Sequence, residues 1–167
     1  GQVLGKKAGS MLIPWILLGA AVAAGSYAYL PSAWRKARHW MQCADRLQPN
    51  VLYLTFDDGP DPESTPILLD LLAKYQVHAT FFVVANSAQK YPELIHRMQA
   101  EGHHIGFHSN AHHSAYLMPP TKTKRDFQEG LSALHSAGVS SKLFRPPWGV
   151  VNWESLRQIR KNKLQTV

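Results

Sequence analysis

The segment that decides the fold is Val51-Leu52-Tyr53-Leu54-Thr55-Phe56-Asp57-Asp58-Gly59-Pro60. Its first six residues form a short apolar and β-branched run, which predicts a strand buried on both faces. The Asp-Asp-Gly-Pro sequence that follows predicts a loop. Thr65, followed by Pro66, is then predicted to cap a helix that extends to Lys74. The domain therefore begins with a strand, a loop and a helix.

The same alternation continues along the rest of the chain. Further strands are predicted over residues 77–84, 104–108, 142–145 and 164–167, and further helices over residues 92–101, 123–137 and 152–161, the last of them capped by Asn152. Strands that alternate strictly with helices predict a parallel sheet with helices outside it, either doubly wound or closed into a barrel. In both arrangements functional side chains gather at the carboxyl ends of the strands.

The N-terminal part of the chain has a different composition. No charged residue lies between Ala8 and Trp34, and about 20 such residues cross a bilayer as a helix. A helix buried in a soluble core would normally show a polar face, and the stretch that begins at Met11 shows none before Ser26. We therefore predict a signal anchor over residues 1–30, a juxtamembrane linker over 31–50 and an exported domain over 51–167.

The sequence allows more than one orientation of this segment in the membrane, and it allows the segment to be either retained or cleaved. Lys6 and Lys7 favour a cytoplasmic start, which places the domain outside the cell, whereas basic residues on the far side of the segment weaken that argument. A cleaved signal peptide, processed near the small residues at 23–25, is the alternative. Both readings predict either a cell-membrane protein with an extracytoplasmic domain or a secreted protein, in a bacterium.

The formal net charge of +7 does not indicate a nucleic-acid-binding protein. Residues 1–48 hold six basic residues against one acidic residue, so the remaining domain carries only +2. No basic stripe interleaved with aromatic residues appears in that domain, and we expect no nucleic-acid partner. The single cysteine, Cys43, also excludes an intramolecular disulfide and a four-cysteine zinc site.

Chemically active side chains follow the predicted strands. Asp57 and Asp58 follow the first strand, His108 and His112 the third, and Arg145 the fourth. Two histidines four residues apart on one helical turn would face the same way. Together with one carboxylate they form a set that holds zinc and leaves a position open for water.

Other residues in this region receive less weight. Five histidines fall within eleven positions, and we expect the three others, His103, His104 and His113, to be structural or surface residues. The sequence lacks the glutamate that a zinc-protease helix requires after its first histidine. Ser109 and Ser114 lack a nucleophile-elbow pattern, and Cys43 lies outside the predicted domain.

Three of these segments carry a family resemblance. In this order and spacing they resemble the first three motifs of the polysaccharide deacetylases, which form carbohydrate esterase family 4. The segments are Thr55-Phe56-Asp57-Asp58-Gly59-Pro60, His108-Ser109-Asn110-Ala111-His112 and Arg145-Pro146-Pro147-Trp148-Gly149. The resemblance covers residues 51–167 and implies a distorted (β/α) barrel.

The resemblance also implies roles for individual residues. Asp58, His108 and His112 would bind one divalent metal, usually zinc. Asp57 would be the general base, and Arg145 would hold its ionised form in position. The backbone around Pro147 and Trp148 would stabilise the oxyanion.

The implied reaction is hydrolysis of N-acetyl groups on an N-acetylglucosamine polymer, with peptidoglycan ahead of chitin-like substrates. Trp148 replaces the tyrosine that is commoner in its motif, and its ring face would suit stacking on a sugar.

The sequence departs from the family at its C-terminal end. Two later motifs, one of which supplies a histidine as general acid, are not found, and five predicted strands are fewer than the seven or eight units of the family barrel. We therefore expect a C-terminally incomplete deacetylase domain. The alternative is a non-catalytic protein that binds metal and carbohydrate but lacks the acid.

Overall fold

The computed structural model describes residues 4–43 and 51–167. Its five strands form one parallel sheet in the order β1-β2-β3-β4-β5, so that each strand lies beside its neighbours in the chain. The strands are β1 (Thr55–Asp57), β2 (Thr80–Val83), β3 (His104–Phe107), β4 (Leu143–Phe144) and β5 (Gln165–Thr166). The predicted parallel α/β fold is therefore confirmed, with an open sheet over the described residues.

Six α-helices accompany this sheet in the described part of the chain. They are α1 (Leu4–Cys43), α2 (Ser64–Lys74), α3 (Ala85–Lys90), α4 (Pro92–Ala100), α5 (Pro120–Ser136) and α6 (Trp153–Lys161), and a short 3-10 turn spans Pro147–Gly149. The predicted cap of α6 is confirmed, because the Asn152 side chain accepts from Ser155 N–H in a capping box. The short helix α3 and the 3-10 turn were not predicted.

The core lies around β2 and β3. Phe82 and Phe107 are fully buried, and Phe107 packs edge-on against Phe127 of α5. A side chain at Gly130 of α5 would place its Cβ 2.6 Å from the Phe107 ring, which shows how closely α5 lies against the sheet. Strands covered on both faces are expected to be apolar, and the last three residues of β2 and of β3 are apolar and buried.

The prediction that residues 51–56 form a strand buried on both faces is wrong. The strand begins only at Thr55, and Leu52 is 84% exposed. Within the described residues β1 is an edge strand that pairs only with β2. A local apolar run cannot distinguish such an edge position from a central one, because burial depends on distant neighbours.

The predicted start of α2 is also wrong. The helix begins at Ser64 and its N-cap residue is Glu63. Thr65 lies inside the helix, and its Oγ1 accepts from Asp61 N–H. The carboxylate of Asp61 accepts from the N–H groups of Glu63 and Ser64, so it satisfies the first free donors of the helix in place of Thr65.

Helix α1 continues well beyond the apolar segment. The part from Ile13 to His39 is long and apolar enough to cross a membrane by length and composition, with only 6% of its most apolar window buried. Residues 31–43, which we predicted to belong to a linker, extend the same helix. Ala28, Pro31, Ser32 and Arg35 are buried, and their helical spacing places them on one face. Residues 44–50 of the predicted linker lie outside the described residues.

Candidate metal centre

The sheet brings the predicted site residues to one edge. Asp57 ends β1 and Asp58 follows it, His108 directly follows β3, and Arg145 directly follows β4. Because parallel strands have their carboxyl ends at the same edge, these side chains meet in space. They line a cleft of about 350 Å³.

Three possible metal ligands converge in this cleft. Asp58 Oδ1 lies 3.2 Å from His108 Nε2 and 3.0 Å from His112 Nε2. One ligand atom from each of the three residues falls within 4.8 Å of the other two. His108 is buried, His112 is half-buried and Asp58 is exposed to the cleft.

The hydrogen bond of His108 fixes which of its nitrogens is free. Its Nδ1 lies 2.6 Å from the carbonyl oxygen of Arg145. Because a carbonyl only accepts, Nδ1 must carry the proton, and the lone pair of Nε2 then faces the Asp58 carboxylate. Two acceptors at this distance repel each other unless a cation lies between them, so the arrangement fits a metal ion.

Burial also favours the form of His108 that binds metal. Removal of the ring from water holds the pKa of His108 below its ordinary value. The ring is therefore neutral at pH 7, as an imidazole ligand must be.

The prediction that His108 and His112 share a helical turn is wrong. Both lie in a loop, in which Ser109 and His112 have left-handed φ values of 72° and 54°. Ser109 Oγ accepts from His112 N–H at 2.8 Å. This side-chain bond closes the loop and directs both rings into the cleft without a helix.

The carboxylate of Asp126 in α5 binds the backbone of the same loop. Both of its carboxylate oxygens lie 3.2 Å from Asn110 N, which donates to them. Burial raises the pKa of Asp126. A carboxylate in such a position compensates a bent backbone whose N–H groups have no partner in a helix.

Asp57 and Arg145 form the second part of the site. Arg145 Nη1 donates to Asp57 Oδ1 at 2.8 Å and to Thr55 Oγ1 at 2.9 Å. The guanidinium carbon also lies 4.2 Å from the centre of the Phe82 ring. These contacts fix the guanidinium, which in turn holds Asp57 beside the three converging ligands.

Trp148 forms the third part of the site, whereas the predicted site residue Pro147 is buried and does not line the cleft. Trp148 has a left-handed φ of 51°, and its ring centre lies 4.3 Å from that of His112. The ring is 63% exposed and borders the cleft. An exposed aromatic face beside polar groups is suited to contact with a sugar ring.

Four residues that support the site have no predicted role in it, and these are Thr55, Phe82, Ser109 and Asp126. Thr55 was detectable, because residues two apart in a strand share a face and Thr55 precedes Asp57 by two. The other contacts join distant segments or depend on left-handed loop geometry, and no local pattern predicts them.

The remaining histidines behave as expected. His103 is buried and its Nδ1 accepts from Ala79 N–H at 3.2 Å. His104 and His113 are exposed. None of the three lines the cleft.

Fold and site together define an α/β protein with two histidines and one carboxylate at the carboxyl edge of a parallel sheet, next to a carboxylate paired with arginine. A family model described as polysaccharide deacetylase matches residues 44–167. The chain belongs to the polysaccharide deacetylase family, which confirms the predicted resemblance.

Curated relatives carry related names. A peptidoglycan-N-acetylglucosamine deacetylase of Bacillus cereus is 37% identical over 117 residues, which cover 70% of this chain and 55% of the relative. A chitooligosaccharide deacetylase of a Bradyrhizobium species is 36% identical, with coverage of 70% and 54%. The chain thus spans about half the length of these relatives.

Solved structures agree with the fold. A family 4 carbohydrate esterase from Streptomyces lividans, in complex with acetate, superposes with a TM-score of 0.67 at 30% identity and covers 72% of this chain and 63% of that chain. The peptidoglycan deacetylase PdaC from Bacillus subtilis gives 0.65 at 36% identity, with coverage of 72% and 60%. The open sheet is therefore compatible with part of the larger family domain.

Proposed function

We propose that this chain carries the metal-binding and general-base half of a polysaccharide N-deacetylase. The observation that carries the proposal is the convergence of Asp58, His108 and His112 on one point, beside the ion pair of Asp57 and Arg145. Ligands and base are thus separate groups within one cleft, as hydrolysis by an activated water requires. Membership of the family supports the reaction class.

Asp58, His108 and His112 would hold one divalent ion, for which zinc is our first expectation because two imidazoles and a carboxylate suit it. When bound, the ion would acidify water and polarise the acetyl carbonyl. Asp57 accepts the proton of the attacking water through its carboxylate. Arg145 holds that carboxylate in place beside the cleft, because its Nη1 donates to Asp57 Oδ1. The backbone N–H at Trp148 would donate to the developing oxyanion, and Pro147 before it, which has no N–H, would only shape the turn.

The proposed substrate is an N-acetylglucosamine polymer, with peptidoglycan ahead of chitin-like chains. The names of the bacterial relatives support both classes. The Trp148 ring at the rim of the cleft would stack on a sugar next to the one being deacetylated. The leaving amine needs a proton, and the cleft described here contributes Asp57, protonated after the first step, as its candidate acid.

We further propose that residues 1–30 anchor the protein in a bacterial cell membrane or serve as its signal peptide, and that residues 51–167 form the exported deacetylase domain. The exposed apolar surface of α1 between Ile13 and Leu30 supports this division. An apolar helix surface of this length is unfavourable in water and favourable in a bilayer.

The proposal is tested by metal analysis and deacetylation assays on the full chain in detergent micelles and on the chain extended by its downstream genomic sequence. The substrate is an N-acetylglucosamine oligomer, and released acetate is measured. We expect His108→Ala to lose the metal and Asp57→Asn to keep it while turnover falls by about 100-fold or more. His113→Ala is the matched control, because His113 is an exposed histidine of the same loop.

The outcomes separate the possible functions. Metal with activity in either length supports the deacetylase, and activity in the extended chain alone would show that the leaving amine takes its proton from a downstream group rather than from Asp57. Metal and oligomer binding without acetate release in both lengths would instead support a non-catalytic carbohydrate-binding protein. Metal retained by His108→Ala would contradict the ligand assignment.

A further inference from the structure

The turn that carries Trp148 has a demanding backbone conformation. Trp148 and Gly149 are consecutive left-handed residues, with φ values of 51° and 66°. Glycine adopts this region freely, but a bulky residue does so only when surrounding contacts hold it. Two bonds lie within the turn, from Gly149 N–H to the Pro146 carbonyl and from Val150 N–H to the Pro147 carbonyl. The carbonyl of Gly149 and the backbone of Val151 instead bond to side chains of a distant element.

Those outside contacts come from α1. Arg35 Nη2 donates to the carbonyl oxygen of Gly149 at 2.9 Å. Ser32 Oγ donates to the carbonyl oxygen of Val151 at 2.9 Å and accepts from Val151 N–H at 3.0 Å. One hydroxyl therefore satisfies both backbone groups of Val151, which is fully buried. Buried backbone groups that lose such partners are costly, so these bonds restrain the segment.

The restrained segment leads directly to the proposed site. Trp148 directly precedes Gly149, whose carbonyl oxygen accepts from Arg35. The ring of Trp148 packs on the ring of His112. Trp148 and Gly149 both line the cleft. A shift of the turn would therefore move the Trp148 ring and backbone relative to a proposed metal ligand.

We propose that Ser32 and Arg35 are positioning residues for the deacetylation site, and that the end of α1 is part of the catalytic unit. The two side chains lie three residues apart on the buried face of α1 and bond to residues more than 100 positions away in the chain. The inference rests on the proposed function for its catalytic consequence. The structural consequence, a restrained turn, is independent of that function.

The first test measures amide hydrogen exchange at residues 149–151 in the full chain in detergent micelles. In Arg35→Gln we expect exchange of the Gly149 and Val150 amides to accelerate by about tenfold or more, although neither N–H bonds to Arg35. Ser32→Ala should accelerate the Val151 amide. Lys36→Gln is the matched control, since Lys36 is exposed on the same helix. Exchange in Arg35→Gln that equals the control would overturn the proposal.

The second test measures acetate release and zinc affinity in the same variants. We expect Arg35→Gln to lower kcat by about tenfold while the zinc Kd stays within about twofold of the wild type, and Arg35→Lys to recover part of the rate because an ammonium also donates to a carbonyl. Faster exchange with an unchanged kcat would overturn the catalytic part of the proposal.

The two tests also separate this inference from the proposed function. If the wild-type chain and its extended form release no acetate, the proposed function fails, and the exchange measurement alone decides whether α1 restrains the turn. If circular dichroism shows that Arg35→Gln is unfolded, Ser32→Ala decides both readouts, because it removes a single oxygen atom.

Discussion

Asp57 and Asp58 are adjacent carboxylates that serve the same cleft. Successive residues of a strand point to opposite faces, so a regular backbone would separate them. Asp58 instead has a left-handed φ of 72° directly after the strand ends. This single dihedral turns its carboxylate towards His108 and His112, while Asp57 stays with Arg145.

The dihedral at Asp58 determines which substitution is informative there. Asparagine tolerates the left-handed region, whereas alanine is strained by about 1 kcal/mol. We expect Asp58→Asn to lower zinc affinity by about tenfold or more with little change in metal-free stability, because it removes only the charged ligand. Asp58→Ala should lose affinity and also unfold more easily without metal. Zinc titration and thermal unfolding check both, and wild-type zinc affinity in Asp58→Asn would contradict the assignment.

His103 gives the protein a pH-dependent contribution to stability. Burial lowers the pKa of His103, which also faces Glu101, His78 and Arg97. The unfolded chain therefore takes up a proton near pH 6.5 that the folded chain does not, so this contribution is complete above that pH and declines as pH falls. Protonation of Nδ1 would also break the bond from Ala79 N–H.

The expected result is that the stability advantage of wild type over His103→Gln narrows as the pH is lowered from about 7 to about 5. His104→Gln is the control, because His104 is adjacent and exposed. Denaturant unfolding at several pH values provides the measurement. A constant difference across this range would show that His103 does not titrate as its burial requires.

Among the elements of the fold, a loop and two helices are joined by the side chain of Asn152. Its Oδ1 caps α6 through Ser155, and its Nδ2 donates to the Ala115 carbonyl and to Thr123 Oγ1 of α5. Asn152 is fully buried. The loop after the histidines, the start of α5 and the start of α6 therefore share one side chain.

The substitution Asn152→Asp distinguishes the contribution of the helix cap to stability from that of the Nδ2 hydrogen bonds. Aspartate caps a helix as well as asparagine, so an isolated cap would be unaffected. Because aspartate lacks the Nδ2 donors and would face a carbonyl oxygen, we expect a loss of about 2 kcal/mol or more in the free energy of unfolding. Asn162→Asp, at the exposed end of α6, should change stability by less than about 1 kcal/mol. Equal effects in denaturant titrations would contradict the network.

The same contrast between local and distant interactions explains what the sequence could predict. The strand β2, the helix α4 and the cap of α6 depend on neighbouring residues, and their patterns predicted them. The loop from His108 to His112 depends on left-handed residues and on Asp126, which lies on another element. The candidate site residues could be identified because they belong to strand ends and family motifs, which are local patterns. Their geometry could not be predicted, because it depends on left-handed residues and on contacts with other elements.

At the scale of the whole molecule, metal binding should be linked to stability. The three proposed ligands come from two distant segments, so the site exists only in the folded chain. A ligand that binds only the folded state stabilises it by about 2.7 kcal/mol at a concentration of 100 times its Kd. We therefore expect zinc to raise the Tm of the wild type and a chelator to lower it. His112→Ala should abolish the shift and His113→Ala should retain it; an equal shift in both would place the zinc elsewhere.

If residues 1–30 anchor the protein as proposed, the contacts of α1 with the domain would set the distance between the membrane and the cleft. With residues 13–30 in a bilayer, the membrane segment is about 27 Å long, and the first buried contact with the domain, Ala28, lies within its final turns. Within the described residues, α1 runs as one helix from this apolar segment to its contacts with the domain, so the proposed anchor would not be a flexible tether. Helix geometry would then fix the height of the cleft above the membrane, and diffusion of the anchor would move the cleft only within the plane of the membrane. Under the proposed function, polymer close to the membrane would be within reach of the cleft, and polymer further away would not.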